Sequence, residues 1–499
     1  MTDIASLIYQ MQQPDFYPHD VAEKIELIQT HASYVFLTGK YVYKLKKPVN
    51  FGFLDYSTLV KRKHYLETEL QLNKKNASEL YLEVIPIRDR YNKFTLDGSG
   101  EIVEYALKMR QFPQENLFIN LLTANKLSSD RFVELGKIVA QFHCSAETND
   151  YIRSFGTISK IRAAFEENYQ QTQKYIDVVQ TQEQLVATKA YTDYFFTERQ
   201  ELFQARIEQD KIKECHGDLH LKNICLWQDK IQLFDRIEFN ESFRFVDTMY
   251  DVAFTIMDLE AHQKPEFANA FLNSYLEHMG DWRGLPILPL YLCRQAYVRA
   301  KVNSFLLDDP QIENKRQIKQ TASDYYRQAY EYTQSQEGNL ILMSGLSGSG
   351  KSTVASQIAR EKGAIQIRSD AVRKHLAGIP LDESRKDEIY SHDMTEKTYD
   401  RLLELGITLA KQGFSVILDA KYDRFHHRQQ AISRAEINHI PLQIIYCTAP
   451  QALLRDRLNQ RQGDVSDATA DLITAQIANA EAFTEAEKPY VQTINTANN

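Results

Sequence analysis

From about residue 30 to residue 110, apolar and polar positions alternate in short runs. "SYVFLTG" (33–39) and "KYVYKLKK" (40–47) read as strands, and "TLVKRKHYLETELQLNKK" (58–75) changes to a helical period. "LYLEVIPI" and "IVEYALKMRQF" read as two further strands, with "LDGSG" as the turn signal between them. From 128 to 210 the pattern is helical and rich in Gln, Glu, Tyr and Phe. A strand pair, "NICLW" and "KIQLFD", then turns at Gln228–Asp229, and 245–335 returns to helix. Past the polar stretch "YTQSQEGN" the pattern changes again. "LILMSG", "AIQIRSD", "FSVILDA", "LQIIYCTAP" and "YVQTIN" alternate with helical segments, which predicts a parallel, doubly wound α/β sheet. The predicted division is therefore 1–335 and 336–499, with no internal repeat.

Composition narrows the class. The chain has 499 residues, 43% of them apolar, enough for two domains with sizeable cores. A net charge of −8 argues against a bulk electrostatic grip on nucleic acid. The five cysteines (Cys144, Cys215, Cys225, Cys293, Cys447) form no CxxC pair, which suits a reducing compartment. The first residues lack a basic region followed by an apolar run, and no segment approaches the length of a membrane helix. A soluble, cytoplasmic protein is expected.

Two short motifs carry chemistry. "GLSGSGKST" (345–353) fits G-x-x-x-x-G-K-[ST] and is flanked by a strand and a helix. Its backbone N–H groups would cradle phosphates of ATP, so Gly345, Ser347, Gly348, Ser349, Gly350, Lys351, Ser352 and Thr353 are candidate nucleotide contacts. Lys351 would bridge the β and γ phosphates and Ser352 would hold Mg²⁺. In "IQIRSDAVRKHL", Asp370 and Arg373 lie three apart on a helix start, a carboxylate to take the proton of an attacking hydroxyl and a guanidinium to bind an anionic group. Asp419 ends the strand "SVILD", positioned to reach Mg²⁺. Arg457 and Arg461, four apart, could close over the phosphates, with Arg455 nearby. The order P-loop, "SDAVR", "ILDA" and an arginine-bearing helix resembles the P-loop kinase group of polynucleotide kinase, chloramphenicol phosphotransferase and the zeta toxins. That resemblance implies an acceptor-activating role for Asp370 and a substrate grip for Arg373.

The second motif is "HGDLHLKN" (216–223). Asp218 and Asn223, five apart, match a kinase catalytic loop, in which Asp activates the acceptor hydroxyl and Asn binds Mg²⁺. Asp235, closing "KIQLFD", stands where the second metal carboxylate belongs. A zinc reading of Cys215, His216, His220 and Cys225 lacks a CxxC knuckle. Upstream, Lys44 or Lys46 would pair with phosphates and Glu67 or Glu69 would hold that lysine; alternation points both lysines the same way, and Lys44 with Glu69 is the preferred pair. These residues resemble the aminoglycoside phosphotransferase and choline kinase branch of the protein-kinase-like fold, whose HGDxHxxN and later D-x-x-x-D-x-A match at Asp247 and Asp251. Two departures are visible: no G-x-G-x-x-G precedes Lys44, and "DRIEF" replaces D-F-G. The order of both modules resembles bacterial proteins described as bifunctional aminoglycoside phosphotransferase and ATP-binding proteins.

The expectation is an α+β protein-kinase-like domain of the aminoglycoside phosphotransferase type, followed by an α/β P-loop NTPase domain. Its expected function is Mg²⁺-ATP-dependent phosphorylation of small-molecule acceptors at two nucleotide sites, with Asp218 and Asp370 as the activating bases. The competing expectations are a nucleotide-sensing regulator that contacts a protein partner and, ranked below a small-molecule acceptor, a nucleic-acid end kinase in the second half. Asp247, Asp251, Asp258 and Glu260 hint at an acidic acceptor cleft.

Overall fold

The computed structural model describes residues 4–310, 312–383, 389–460, 465 and 472–497. The chain divides into two compact units. The first comprises Met1–Leu127, Ala146–Lys160 and Arg206–Thr255; the second comprises Ser128–Ser145, Ile161–Ala205 and Ile256–Asn499. Neither boundary falls at 335/336. The helices following 256 share a unit with the C-terminal sheet because the helix Pro265–Met279 packs on both the helix Ser129–Ser145 and the helix Lys351–Lys362 with the strand Ile365–Arg368 that follows it.

The first unit is built on six antiparallel strands: β1 (Glu26–Gln29), β2 (Ser33–Leu37), β3 (Tyr41–Lys46), β4 (Tyr81–Arg90), β5 (Lys93–Thr95) and β6 (Glu101–Arg110). Their order in the sheet is β1-β2-β3-β6-β4-β5. The strands β1 and β5 were not anticipated; each is short, with its pattern set by an adjacent hairpin partner. Period-two alternation splits β3 cleanly. Tyr43 and Leu45 join the core under the helix Ile4–Met11, while Val42 joins the opposite core beneath the helix Leu59–Lys74. Lys44 and Lys46 share the face of Val42 and so point toward that helix. Thr58 caps the helix by accepting the Lys61 N–H. Further on, β7 (Ile212–Glu214) pairs with β10 (Phe245–Asp247), and β8 (Ile224–Trp227) forms a hairpin with β9 (Lys230–Leu233). Gln228 and Asp229 both take positive φ, as the two-residue turn expected there requires.

The second unit carries long helices, including Gln182–Glu198, Leu288–Leu306 and Lys315–Glu331, and a five-stranded sheet. That sheet contains β11 (Asn339–Ser344), β12 (Ile365–Arg368), β13 (Ser415–Asp419), β14 (Leu442–Thr448) and β15 (Val491–Asn495), all parallel, in the order β12-β13-β11-β14-β15. All five were legible in the sequence; β11, β12 and β13 are largely buried, as strands covered on both faces are, whereas β15 lies at the edge and is mostly exposed. The chain moves from β11 to one edge and later to the other side, so a crevice opens at the carboxyl end of β11, where ligands bind in such sheets. Among the described residues no helix is long and apolar enough to cross a membrane.

Candidate functional site

In the first unit, the polar loop 216–223 is shaped by buried groups behind it. Asp251, fully buried in the first turn of the helix Thr248–Ala261, accepts the backbone N–H groups of His216 and Gly217 at 2.6 and 2.7 Å. The Asp218 N–H donates to His216 Nδ1, so the other ring nitrogen carries the proton and donates to the Phe234 carbonyl at 2.9 Å. Burial accordingly holds the His216 pKa below its ordinary value, although Asp251 opposes this. Gly217 has φ +85°, and a Cβ there would sit 2.4 Å from the Phe243 carbonyl oxygen. Only glycine lets the chain turn so that Asp218 emerges with its side chain 37% exposed.

Asn223 donates to the Asp218 carbonyl at 2.9 Å and to its carboxylate at 3.1 Å, leaving the amide oxygen as the atom that can face a cation. His220 Nε2 lies 3.4 Å from the same carboxylate. Asp235 takes φ +62°, with its N–H held by the Tyr81 hydroxyl at 3.0 Å. Its carboxylate accepts Lys44 Nζ at 2.7 Å, and the same ammonium reaches Glu69 at 2.8 Å. Burial alone would pull Lys44 down, but Asp235 and Glu69 outweigh it and hold the ammonium well above its ordinary range. Burial likewise pushes Asp235 up, and Lys44 reverses this, so the carboxyl ends below its usual value.

The lysine–glutamate pairing left open by sequence is decided here. Glu67 lies 3.6 Å from the exposed Lys63, whereas Glu69 is fully buried and takes both lysines, with Lys46 at 2.5 Å. Lys46 also binds Glu238 at 2.5 Å, and Tyr56 donates to that same carboxylate. The segment "DRIEF" thus has its own packing. Arg236 is buried and donates to the carbonyls of Leu72, Glu214 and Cys215, while its N–H is held by Asn73. In place of a glycine loop, the β1–β2 hairpin is closed by Thr30, whose hydroxyl accepts the Ser33 N–H. Asp247 makes a bidentate pair with Arg206 at 2.9 and 2.7 Å and Asp251 holds the loop, and both are buried, so neither lines an acidic cleft. In the second unit, Asp258 and Glu260 are likewise engaged, by His262 and Tyr332.

The second unit's site is a cleft of about 420 Å³ at the carboxyl end of β11. Ser347, Gly348, Gly350, Lys351, Ser352 and Thr353 line it, together with Asp370, Asp419 and Arg457. Gly345 and Ser349 stand behind the loop; a Cβ on Gly345 would meet the Cys447 carbonyl oxygen at 2.4 Å. Lys351 opens the helix Lys351–Lys362, and its Nζ donates to the Leu346 carbonyl at 2.7 Å. Burial draws its pKa down to about 8, against the pull of Asp419. The Ser347 N–H is held by Gln476 Oε1 at 3.0 Å. Asp419, 4% exposed, accepts Gln366 Nε2 at 2.9 Å. Asp370 is in the first turn of the helix Ser369–Ala377 and accepts the Tyr390 hydroxyl at 3.1 Å.

Arg373 does not line the cleft: it is buried, donating to the Ile389 carbonyl and the Thr395 hydroxyl, with Tyr390 against its guanidinium. Arg457 reaches the Gly348 carbonyl at 3.5 Å and the Thr496 carbonyl at 2.6 Å. Thr496 in turn donates to the Ser349 carbonyl. Arg455 points to Thr474, and Arg461 lies outside the described residues. Residues missed from sequence are Arg368, Lys421 and Thr496 in the cleft, with Gln366 behind it. Lys421 follows Asp419 by two, and Arg368 and Gln366 precede Asp370 by two and four, so spacing could have found them; Thr496 comes from a distant segment.

Residues 340–484 match a family model described as an AAA domain (AAA_33). An uncharacterized protein of Mycobacterium tuberculosis strain H37Rv is 28% identical over 469 residues, 92% of this chain and 91% of that protein. A choline kinase structure from Cryptosporidium parvum Iowa II is similar over 66% of this chain and 95% of its own, at 12% identity and TM-score 0.41. A gluconokinase structure from Sinorhizobium meliloti 1021 covers 33% of this chain and 86% of its own, at 19% identity and TM-score 0.25. The chain carries a six-stranded antiparallel sheet and, C-terminal to it, a five-stranded parallel sheet that bears the P-loop motif.

Proposed function

We propose that this protein is an ATP-dependent phosphotransferase with two nucleotide sites, in modules 1–335 and 336–499, each phosphorylating a hydroxyl of a small-molecule acceptor. The observation that carries the reading is the connected set Glu69–Lys44–Asp235 beside Asp218–Asn223, drawn from four separate stretches of chain. A structural salt-bridge network has no need to hold Asp218 and Asp235 at a solvent-facing edge, with side chains 37% and 42% exposed. A phosphoryl-transfer site does.

The oxygen donors present suit a hard cation. Asn223 and Asp235 would hold Mg²⁺ in one module, and Ser352 and Asp419 in the other. What Mg²⁺ supplies when bound is neutralisation of the charge that builds on the β–γ bridge. In the first module Lys44, fixed by Glu69, orients the phosphates, and Asp218 orients the acceptor hydroxyl and takes its proton. The acceptor oxygen forms its bond to the γ phosphorus as the bond to the β–γ bridging oxygen breaks, and ADP leaves. In the second module the loop N–H groups and Lys351 take the phosphates, and Asp370 receives the acceptor proton. Arg457 and Thr496 engage the Gly348 and Ser349 carbonyls and so brace the loop. Arg373 serves Asp370 through Tyr390, which touches both.

The test is ATP turnover by the full chain and by Lys351→Ala and Asp218→Asn, with a panel of hydroxylated metabolites and aminoglycosides. Loss of a different acceptor-dependent activity in each variant is the expected result. If no acceptor stimulates turnover and Asp218→Asn is silent, the kinase-like half is a binding module and the proposal fails for it.

A further inference from the structure

Within the second unit, the edge strand β12 has its open side covered by the helix Pro265–Met279. Asn273 Oδ1 accepts the Gln366 N–H at 2.7 Å, and its Nδ2 donates to the Ala364 carbonyl at 3.0 Å. One side-chain amide thus satisfies the two backbone groups that a neighbouring strand would have paired. Asn269, one turn earlier, donates to the same Ala364 carbonyl at 2.9 Å.

The Gln366 side chain carries the contact inward. Its Oε1 accepts the Ser356 hydroxyl at 2.8 Å, and its Nε2 donates to Asp419 Oδ2 at 2.9 Å while lying 3.5 Å from the Ser352 carbonyl. A neutral amide orients a carboxylate without cancelling its charge, which keeps that charge available to a cation. A parallel route runs from Glu277, one turn after Asn273. It lies 3.3 Å from Arg368 Nη1, and Arg368 Nε is 4.0 Å from Asp419 Oδ2. The Glu277 carbonyl also holds His375, on the helix that carries Asp370, at 2.7 Å.

We propose that Asn273 is a positioning residue for the P-loop site, fixing the Gln366 backbone and, through the Gln366 amide, the orientation of Asp419. Glu277 supports the same carboxylate through Arg368. The inference rests on the reading of Asp419 as the carboxylate that holds Mg²⁺. It gives the helix Pro265–Met279 a part in the P-loop chemistry, although that helix precedes the P-loop by more than one whole supersecondary element.

The experiment measures ADP affinity of the full chain with Mg²⁺ and with chelator, alongside the unfolding temperature. Asp419→Asn defines the share of the Mg²⁺-dependent gain that belongs to this site. Asn273→Ala is expected to cut that share about fivefold, the worth of one ordinary hydrogen bond, with the Mg²⁺-free affinity unchanged. Asn273→Ala combined with Gln366→Leu should be no worse than Gln366→Leu alone, because both break one route. Asn269→Ala removes an anchor on the same carbonyl and a 3.0 Å contact to Asn273 Nδ2 but leaves the Asn273–Gln366 bond, so it should lower the unfolding temperature and cut the gain less than Asn273→Ala does. The positioning role is overturned if Asn273→Ala leaves the gain within twofold while Asp419→Asn removes it. It is also overturned if Asn269→Ala cuts the gain equally, or if the paired substitutions add. If Asp419→Asn itself leaves the gain intact, the assignment of Asp419 fails first and the positioning role with it.

Discussion

Lys351 offers a pH test of the P-loop site. Its ammonium is buried, and its pKa is drawn down to about 8. A polyphosphate docked beside it favours the charged form and returns the group toward its ordinary value. Binding above pH 8 therefore takes up a proton. With a free-site pKa of about 8, roughly nine-tenths of the sites carry the charge at pH 7 and roughly one-tenth at pH 9. The sign follows directly: the site's share of affinity is complete below the free-site pKa and is lost as pH rises through it. The ADP dissociation constant should rise about tenfold between pH 7 and 9, or about 1.4 kcal/mol. Titration calorimetry in two buffers of different ionisation enthalpy reads both the affinity and the proton. Uptake should approach one proton per ADP at pH 9 and be near zero at pH 7. Lys351→Met should abolish the slope and the uptake, which also separates this site from the kinase-like one. A wild-type affinity flat within twofold over that range, or a slope that survives in Lys351→Met, refutes the reasoning.

Other substitutions test the first unit. Glu69→Ala leaves Lys44 and Lys46 each with one remaining carboxylate, and should cost about 3 kcal/mol in urea unfolding, the lower end for a broken buried pair; a loss below about 1 kcal/mol would contradict the network's role. Asp218→Asn should lower acceptor-dependent turnover by about 10²–10⁴ while ADP affinity stays within about twofold, because the Lys44, Glu69 and Asp235 contacts persist. A parallel loss of affinity would show that Asp218 does not act on the acceptor. Gly217→Ala places a Cβ against the Phe243 carbonyl at positive φ and should cost about 1–3 kcal/mol, read as a lower unfolding temperature. An unchanged melting curve would mean the loop relaxes without strain.

The parts of each site that lie close together in the chain were readable in advance. The P-loop is one strand, one glycine turn and one helix in sequence, so its residues converge by local geometry alone. The "HGDLHLKN" turn behaves in the same way, since Asp218 and Asn223 are five residues apart and hydrogen-bonded. Glu69 was also within reach of sequence reasoning. Leu66, Glu69, Leu72 and Asn73 form one helical stripe, and all four are buried, whereas Glu67 points away. A charged residue on an apolar stripe is costly without a partner, and that cost signals the lysine opposite. The strands β7 and β10 were not readable, because each has three residues and is defined by pairing with the other across about thirty residues.

Sequence by itself determined the periodicities, the two motifs at 216–223 and 345–353 and the alternation that turns Lys44 and Lys46 to one face. These depend on spacing along the backbone, which the chain carries wherever it folds. Tertiary structure decided what those side chains meet. It set Glu69 between two lysines, turned Asp247 and Asp251 inward as supports, buried Arg373 behind Asp370, and brought Asn273 to an edge strand 93 residues away. Such pairings are settled by which elements bury their apolar faces against one another. A polar group enclosed by that packing takes the partner it finds there, because a buried donor or acceptor left unpaired costs more than the bond itself contributes.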